Sequence, residues 1–123
     1  KVNITPENMD VLHNGMYQVV HGNDFVNGQI GATGYYMRPS QGAEVSISAK
    51  TGTAEVTYVA PDGTSVPVTV NNVVAYGPTE NPQISIGVMV PQTTVKEGGV
   101  TSKIGQNITR EITNLYNSMY HFK

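Results

Sequence analysis

Two extended runs on either side of Pro61-Asp62-Gly63-Thr64 constrain this chain most. Pro, Asp and Gly in succession set the dihedrals of a tight turn, and Glu55 to Val59 before it and Ser65 to Val70 after it are rich in β-branched residues. The spacing predicts a hairpin. Upstream, Val45, Ile47 and Ala49 alternate with Ser46, Ser48 and Lys50, so an extended backbone puts the apolar set on one face and Lys50 on the other. The strand then enters Thr51-Gly52-Thr53. Pro67 lacks an amide donor and restricts the second arm to an edge or a bulge. Asn72 to Tyr76 and Gln83 to Val90 read as two further strands, paired across Gly77 to Pro82.

Two helices flank these strands. Thr5-Pro6-Glu7 starts the first, with Thr5 as cap and Glu7 at the positive end of the dipole; Gly22 ends it. Met9, Leu12, Met16 and Val19 or Val20 mark its inner face, and Gly15 is expected at a close contact, since glycine costs about 1 kcal/mol there relative to alanine. From Gly22 to Glu44 five glycines predict a long loop, interrupted by Tyr35, Tyr36, Met37 and Arg38. The second helix is expected to be capped by Ser102. Ile104, Ile108, Ile112, Leu115 and Met119 form one apolar stripe, expected to lie on the sheet, with Lys103, Arg110 and Glu111 on the solvated side. The fold class is therefore α+β.

Composition narrows the function. A formal net charge of −2 with no basic patch offers phosphate no attractive field, which argues against nucleic acid and anionic membrane surfaces. The absence of cysteine removes disulfides, thiol nucleophiles and Cys-ligated metals. No apolar run approaches the roughly 18 residues that span a bilayer. His13 and His21 lack a carboxylate partner at ligand spacing, so no metal or cofactor is expected. A glycine-rich phosphate cradle needs a following helix, and here a strand follows instead. What remains is Lys50-Thr51-Gly52-Thr53: a cation, two hydroxyls and a glycine that leaves room beside the strand, a set suited to an anion or an acyl group.

Lys50-Thr51-Gly52 resembles the third motif of penicillin-binding proteins and serine β-lactamases, whose set is Ser-x-x-Lys, Ser-x-Asn and Lys-Thr-Gly. The extension Ala49 to Glu55 is similar to the class B penicillin-binding proteins of Gram-positive type, the monofunctional peptidoglycan D,D-transpeptidases. The helix before the motif, the strands Val73 to Pro78 and Ile84 to Val90, and the closing helix follow in the order of the last third of that transpeptidase domain. The resemblance implies an antiparallel sheet flanked by helices, with residues 1–123 as a C-terminal segment that is incomplete on its own.

It also implies chemistry. In such enzymes a serine attacks the carbonyl of a D-Ala-D-Ala stem peptide, D-Ala leaves, and an amine of a neighbouring stem takes the acyl group; β-lactams stall at the acyl stage. Lys50 would supply positive charge beside the nucleophile, Thr51 and Thr53 would hold the substrate carboxylate, and the Thr53 backbone N–H would be one oxyanion donor. Gly52 would leave space for the substrate. The implied location is the extracytoplasmic face of the bacterial membrane, anchored by a segment outside this chain. The implied partners are stem peptides, β-lactams and the upstream remainder of the domain, on the same or a separate chain.

One departure is large. No lysine has a serine three positions before it, and no serine is followed two positions later by asparagine. Acyl transfer needs a nucleophile within reach of its base, so the segment alone is expected to be inactive. A β-lactam sensor, a D,D-carboxypeptidase or a β-lactamase relative remains open at this point. So does a non-catalytic binding or structural module of a secreted cell-surface protein.

Overall fold

The structure, a computed structural model, describes residues 3–23, 25–26, 29–93 and 103–123. The first helix, α1 (Pro6–His21), begins as its sequence dictates: the Asn8 N–H donates to Thr5 Oγ1 at 3.4 Å and Pro6 occupies the first turn. It stops at Gly22, whose N–H donates to the Gln18 carbonyl at 2.9 Å. A Cβ at position 22 would approach that carbonyl to 2.7 Å, so the cap admits glycine alone. Gly15 differs from expectation: nothing lies within 4 Å of where its Cβ would be, so no close contact explains it.

The glycine-rich stretch is more structured than an open loop. Strands β1 (Phe25–Val26) and β2 (Gln29–Ile30) pair antiparallel, and 3₁₀ turns follow at Tyr35–Met37 and Pro39–Gln41. Met37 is fully buried and fastens the segment to the core. Arg38 caps the end of α1, donating from Nε to the Val20 carbonyl and from Nη2 to the Gly22 carbonyl, both at 2.5 Å, while its guanidinium lies 4.9 Å from the Tyr35 ring centroid. Carbonyls left without partners at a helix end are thereby satisfied by a cation.

The sheet has the order β3-β4-β5, antiparallel throughout, with β3 (Ser48–Val59), β4 (Ser65–Gly77) and β5 (Ile84–Thr93). Both expected hairpins are present. The two strands expected at Ser65 to Val70 and Asn72 to Tyr76 are one continuous strand, β4, because pairing with β3 runs unbroken from Ser65↔Val59 to Tyr76↔Ser48. The irregularity lies on the other side, where register with β5 shifts between Thr69 and Asn71. From Thr69 back toward Ser65 no described strand pairs with β4 on the side away from β3, and Pro67 lies in this stretch.

Ile47, Ala49, Val73 and Ala75 join Val20, Met37 and Ala43 in the core. Ser48, expected to face outward, is fully buried as well: its hydroxyl is 3.0 Å from Thr79 Oγ1, which also accepts from Ser46 Oγ at 3.0 Å. The cause is α1, which packs on β3 here and brings His21 Nε2 to 3.0 Å from the Ile47 carbonyl. The start of β3 is covered on both faces.

The second helix, α2 (Ile104–Tyr120), lies across β4 and β5 but is rotated from the expected orientation. Gly105, Thr109 and Thr113 are its buried residues. Ile104, Ile108, Ile112, Leu115 and Met119 are instead between 36% and 60% exposed. Close approach to the sheet selects small residues: a Cβ at position 105 would lie 3.2 Å from Val73 Cγ2. The threonine hydroxyls satisfy themselves within the helix, Thr109 Oγ1 donating to the Gly105 carbonyl at 2.7 Å and Thr113 Oγ1 to the Thr109 carbonyl at 2.8 Å. The apolar stripe is turned by about 100° at each neighbouring position and faces away. Ser102, the expected cap, lies outside the described residues; Lys103 holds the cap position without a side-chain cap bond.

Lys103 and Arg110, expected in solvent, turn toward the Tyr35–Met37 segment. The Lys103 ammonium sits 3.8 Å from the Tyr36 ring centroid, and Arg110 Nη1 donates to the Tyr36 carbonyl at 3.1 Å. Arg110 also pairs with Glu111 at 2.8 Å, and that carboxylate is the one solvated member of the expected three.

Candidate functional site

Lys50, Thr51, Gly52 and Thr53 all line one cleft of about 300 Å³. They lie where β3 is the edge of its sheet among the described residues: β4 pairs with one side of it and no described strand pairs with the other. Lys50 is exposed, and its ammonium donates to the Thr51 carbonyl, meeting no carboxylate among the described residues. A Cβ at position 52 would make only ordinary contact with Asn72 Cβ, at 3.8 Å, so nothing among the described residues fills the space above Gly52.

Three residues complete the lining that motif reasoning did not reach: Thr33, Asn71 and Gln106. Thr33 Oγ1 is 2.8 Å from Thr51 Oγ1, which fixes one of the two motif hydroxyls. Gln106 holds this contact in place, donating from Nε2 to the Thr33 carbonyl at 2.8 Å while its Oε1 accepts from the Tyr36 N–H at 3.2 Å. The Gly34 N–H donates to the Val19 carbonyl at 2.8 Å. Helix α1, the turn segment and α2 thus brace the motif strand from three directions. Asn71 pairs across the ladder with Thr53. Nothing in the spacing marked Thr33 or Gln106; two asparagines inside a strand, where asparagine is depleted, were the available sign for Asn71.

A second hollow of about 400 Å³, shallow and open, lies between α1 and the β4–β5 turn, where His13, Tyr76 and Glu80 face it. His13 and Tyr76 rings are 5.5 Å apart, and Tyr17 stacks on His21 at 4.4 Å. Burial holds the His21 pKa below its ordinary value, and the nearby Arg38 charge adds to this, against the opposing pull of the Ile47 carbonyl bond and Glu80. The Lys50 to Thr53 cleft, which gathers the cation, the two hydroxyls and the glycine on one surface, is the candidate site.

The family described as the penicillin binding protein transpeptidase domain matches residues 1–114. Penicillin-binding protein 2B of Streptococcus pneumoniae is 46% identical over 98% of this chain, which spans 15% of that relative's length. Penicillin-binding protein 2A of Bacillus subtilis is 38% identical over 54% of the chain, or 10% of its own length. The solved structure of penicillin-binding protein 2B from Streptococcus pneumoniae superposes with a TM-score of 0.74 at 41% identity, covering all of this chain and 17% of that one. A complex of penicillin-binding protein 2 with MreC from Helicobacter pylori contains a similar fold, at a TM-score of 0.60 and 23% identity over 94% of this chain and 18% of that one. The chain belongs to the penicillin-binding protein transpeptidase domain family, on the class B side that the residues after its Lys-Thr-Gly motif indicate. The three-stranded antiparallel sheet and the two α-helices among the described residues match the C-terminal portion of that fold.

Proposed function

We propose that this chain is the part of a peptidoglycan D,D-transpeptidase that carries the Lys-Thr-Gly strand, and that a serine nucleophile contributed from outside residues 1–123 completes the site. The observation that carries this reading is the convergence of Lys50, Thr51, Gly52 and Thr53 on one cleft beside an edge strand. A stem peptide ending in D-Ala-D-Ala lies along that edge, with its terminal carboxylate on the Thr51 and Thr53 hydroxyls. The serine oxygen bonds to the penultimate carbonyl, and negative charge develops on the carbonyl oxygen. The Thr53 backbone N–H donates to that oxygen; a preorganised donor of this kind is worth about 2.7–4 kcal/mol in acyl-transfer sites. Lys50 supplies positive charge beside the nucleophile. The C–N bond breaks and D-Ala leaves with the proton given up by the serine hydroxyl; an amine of a neighbouring stem then takes the acyl group and its released proton returns to the serine oxygen. A β-lactam enters as the donor does and remains as the stable acyl adduct.

The exposed stripe of α2 supports the incompleteness of this unit. Five large apolar side chains along one helix face are an unusual amount of greasy surface to leave in water, and the relatives are more than five times the length of this chain. In this reading the upstream part of the domain covers that surface, and the whole protein works outside the cytoplasmic membrane.

Fluorescent penicillin labelling tests the proposal. The complete protein becomes labelled on a residue upstream of Lys1, residues 1–123 alone take no label, and Lys50→Ala removes the label from the complete protein. Labelling that survives Lys50→Ala at the unsubstituted rate rejects the role given to Lys50.

A further inference from the structure

Residues 33–36 tie the two helices together around the outer edge of β3. Helix α1 lies on the Ser48 face of the sheet, where His13 meets Tyr76, the cross-strand partner of Ser48. Helix α2 lies on the opposite face, where a Cβ on Gly105 would approach Val73, the partner of Thr51. The Gly34 N–H donates to the Val19 carbonyl of α1 at 2.8 Å. Two positions on, the Tyr36 N–H donates to Gln106 of α2 at 3.2 Å, and the Tyr36 carbonyl accepts from Arg110 at 3.1 Å. The segment therefore crosses from one face to the other past the edge of β3. It crosses at Thr51, whose Oγ1 lies 2.8 Å from Thr33 Oγ1.

Gln106 locks that crossing. Both ends of its amide are used, Nε2 donating to the Thr33 carbonyl at 2.8 Å and Oε1 accepting from Tyr36, so a turn of the amide would break two bonds at once. No described strand pairs with the outer edge of β3. That edge is thus a groove with one closed end: from Thr53 to Val59 its residues are exposed, and at Thr51 it meets Thr33 and Gln106, both of which line the cleft. A chain adding antiparallel to β3 runs from the Val59 end toward Ser48, so its C-terminus arrives at the closed end.

We infer that Thr33 and Gln106 form a stop at the end of this groove, which restricts the cleft to ligands whose chain ends at the carboxylate and rejects chains that continue through it. A residue beyond that carboxylate would have to displace the Thr33–Thr51 bridge and the Gln106 bonds behind it. The inference rests on the substrate-carboxylate role proposed above for Thr51 and Thr53. Thr33 meets the end of the ligand, and Gln106 is the positioning residue that holds Thr33 there. Discrimination of this kind comes from a clash built against the wrong ligand rather than from added contact with the right one.

The test uses the complete protein and two probes, a penicillin with its free carboxylate and the same penicillin whose carboxyl is joined through an amide to glycine. Both carry one carboxylate, so charge does not separate them, and second-order acylation rates are measured for each. The unsubstituted protein reacts with the extended compound at least about a hundredfold more slowly than with the parent. Gln106→Ala and Thr33→Ala lower the rate for the parent, because Thr51 loses its brace, yet raise that for the extended compound about tenfold. Thr33→Ser keeps the hydroxyl bridge and retains the unsubstituted ratio. A defect of folding lowers both rates together, so changes of opposite sign mark a stop. A parallel fall with both probes in variants whose urea melts match the unsubstituted protein overturns the inference. So do parent and extended rates within about threefold of each other in the unsubstituted protein, a result that needs no variant to fold. Failure of the unsubstituted protein to react with the parent penicillin overturns the transpeptidase reading itself, and this inference with it.

Discussion

The two ends of β3 obey different physics. From Ser48 to Ala49 the strand is fully buried, held between α1 and the core, with even its serine hydroxyl paired. From Thr53 to Val59 every residue is exposed, and β4 is the single element alongside among the described residues. Lys50, Thr51 and Gly52 occupy the boundary. For the binding role proposed for this strand both neighbours matter: the buried end holds the backbone within a narrow range of positions, and the open end would admit a ligand. Catalytic and recognition groups gain from being fixed before the ligand arrives, because little ordering remains to be done on binding.

The sharpest way to break this contrast is at the boundary. Lys50→Ala is expected to lower acylation of the complete protein by at least about a hundredfold with little change in its thermal midpoint, since the side chain is exposed and touches no core group. A large loss of stability in that variant would show that the boundary belongs to the core. Next is the buried end. Ile47→Ala should destabilise the domain by about 2–5 kcal/mol in a urea melt, the range for an aliphatic side chain removed from a packed core.

Arg38→Met probes the brace behind the buried end. It removes two charge-assisted bonds to carbonyls at the end of α1 and should cost about 1–3 kcal/mol in the same melt. His21 gives a pH signature at the same place. Its folded-state pKa lies below 6.5, so the unfolded chain binds the proton more readily. The stability of neutral His21 is therefore present above about pH 6.5 and falls as pH drops below that value. His21→Gln should flatten the slope of thermal midpoint against pH in that window; an unchanged slope would assign it to other groups. Smallest of all, Val56→Thr on the exposed ribbon should change stability by no more than about 0.5 kcal/mol.

What the sequence disclosed followed the range of the forces involved. The caps of α1, the turn at Pro61 to Thr64 and both hairpins depend on residues a few positions apart, and each was legible. So was the motif. The orientation of α2 was not, because an apolar stripe says nothing of which surface will cover it, and among the described residues the sheet takes the other face of the helix. The modest series Gly105, Thr109, Thr113 had no hydrophobic signal, although its spacing of four was equally regular. Arg38 stood out as a cation inside a loop, but its partners at Val20 and Gly22 come from another element. Thr33, Asn71 and Gln106 reach the cleft through tertiary contacts, and a short-range reading could not assemble them.

That small-residue face of α2 makes the helix a feeler gauge between the sheet and the cleft. Its clearance is set by three side chains no larger than threonine, placed at intervals of about 6 Å along the axis. A bulkier residue at position 109 or 113 would shim the helix off the sheet and tip its leading turn, carrying Gly105 and Gln106 away from Asn71 and Thr33. The cleft would then change shape with its own lining untouched. Variation in how such a protein meets its ligands can therefore originate one or two helical turns from any residue that contacts them.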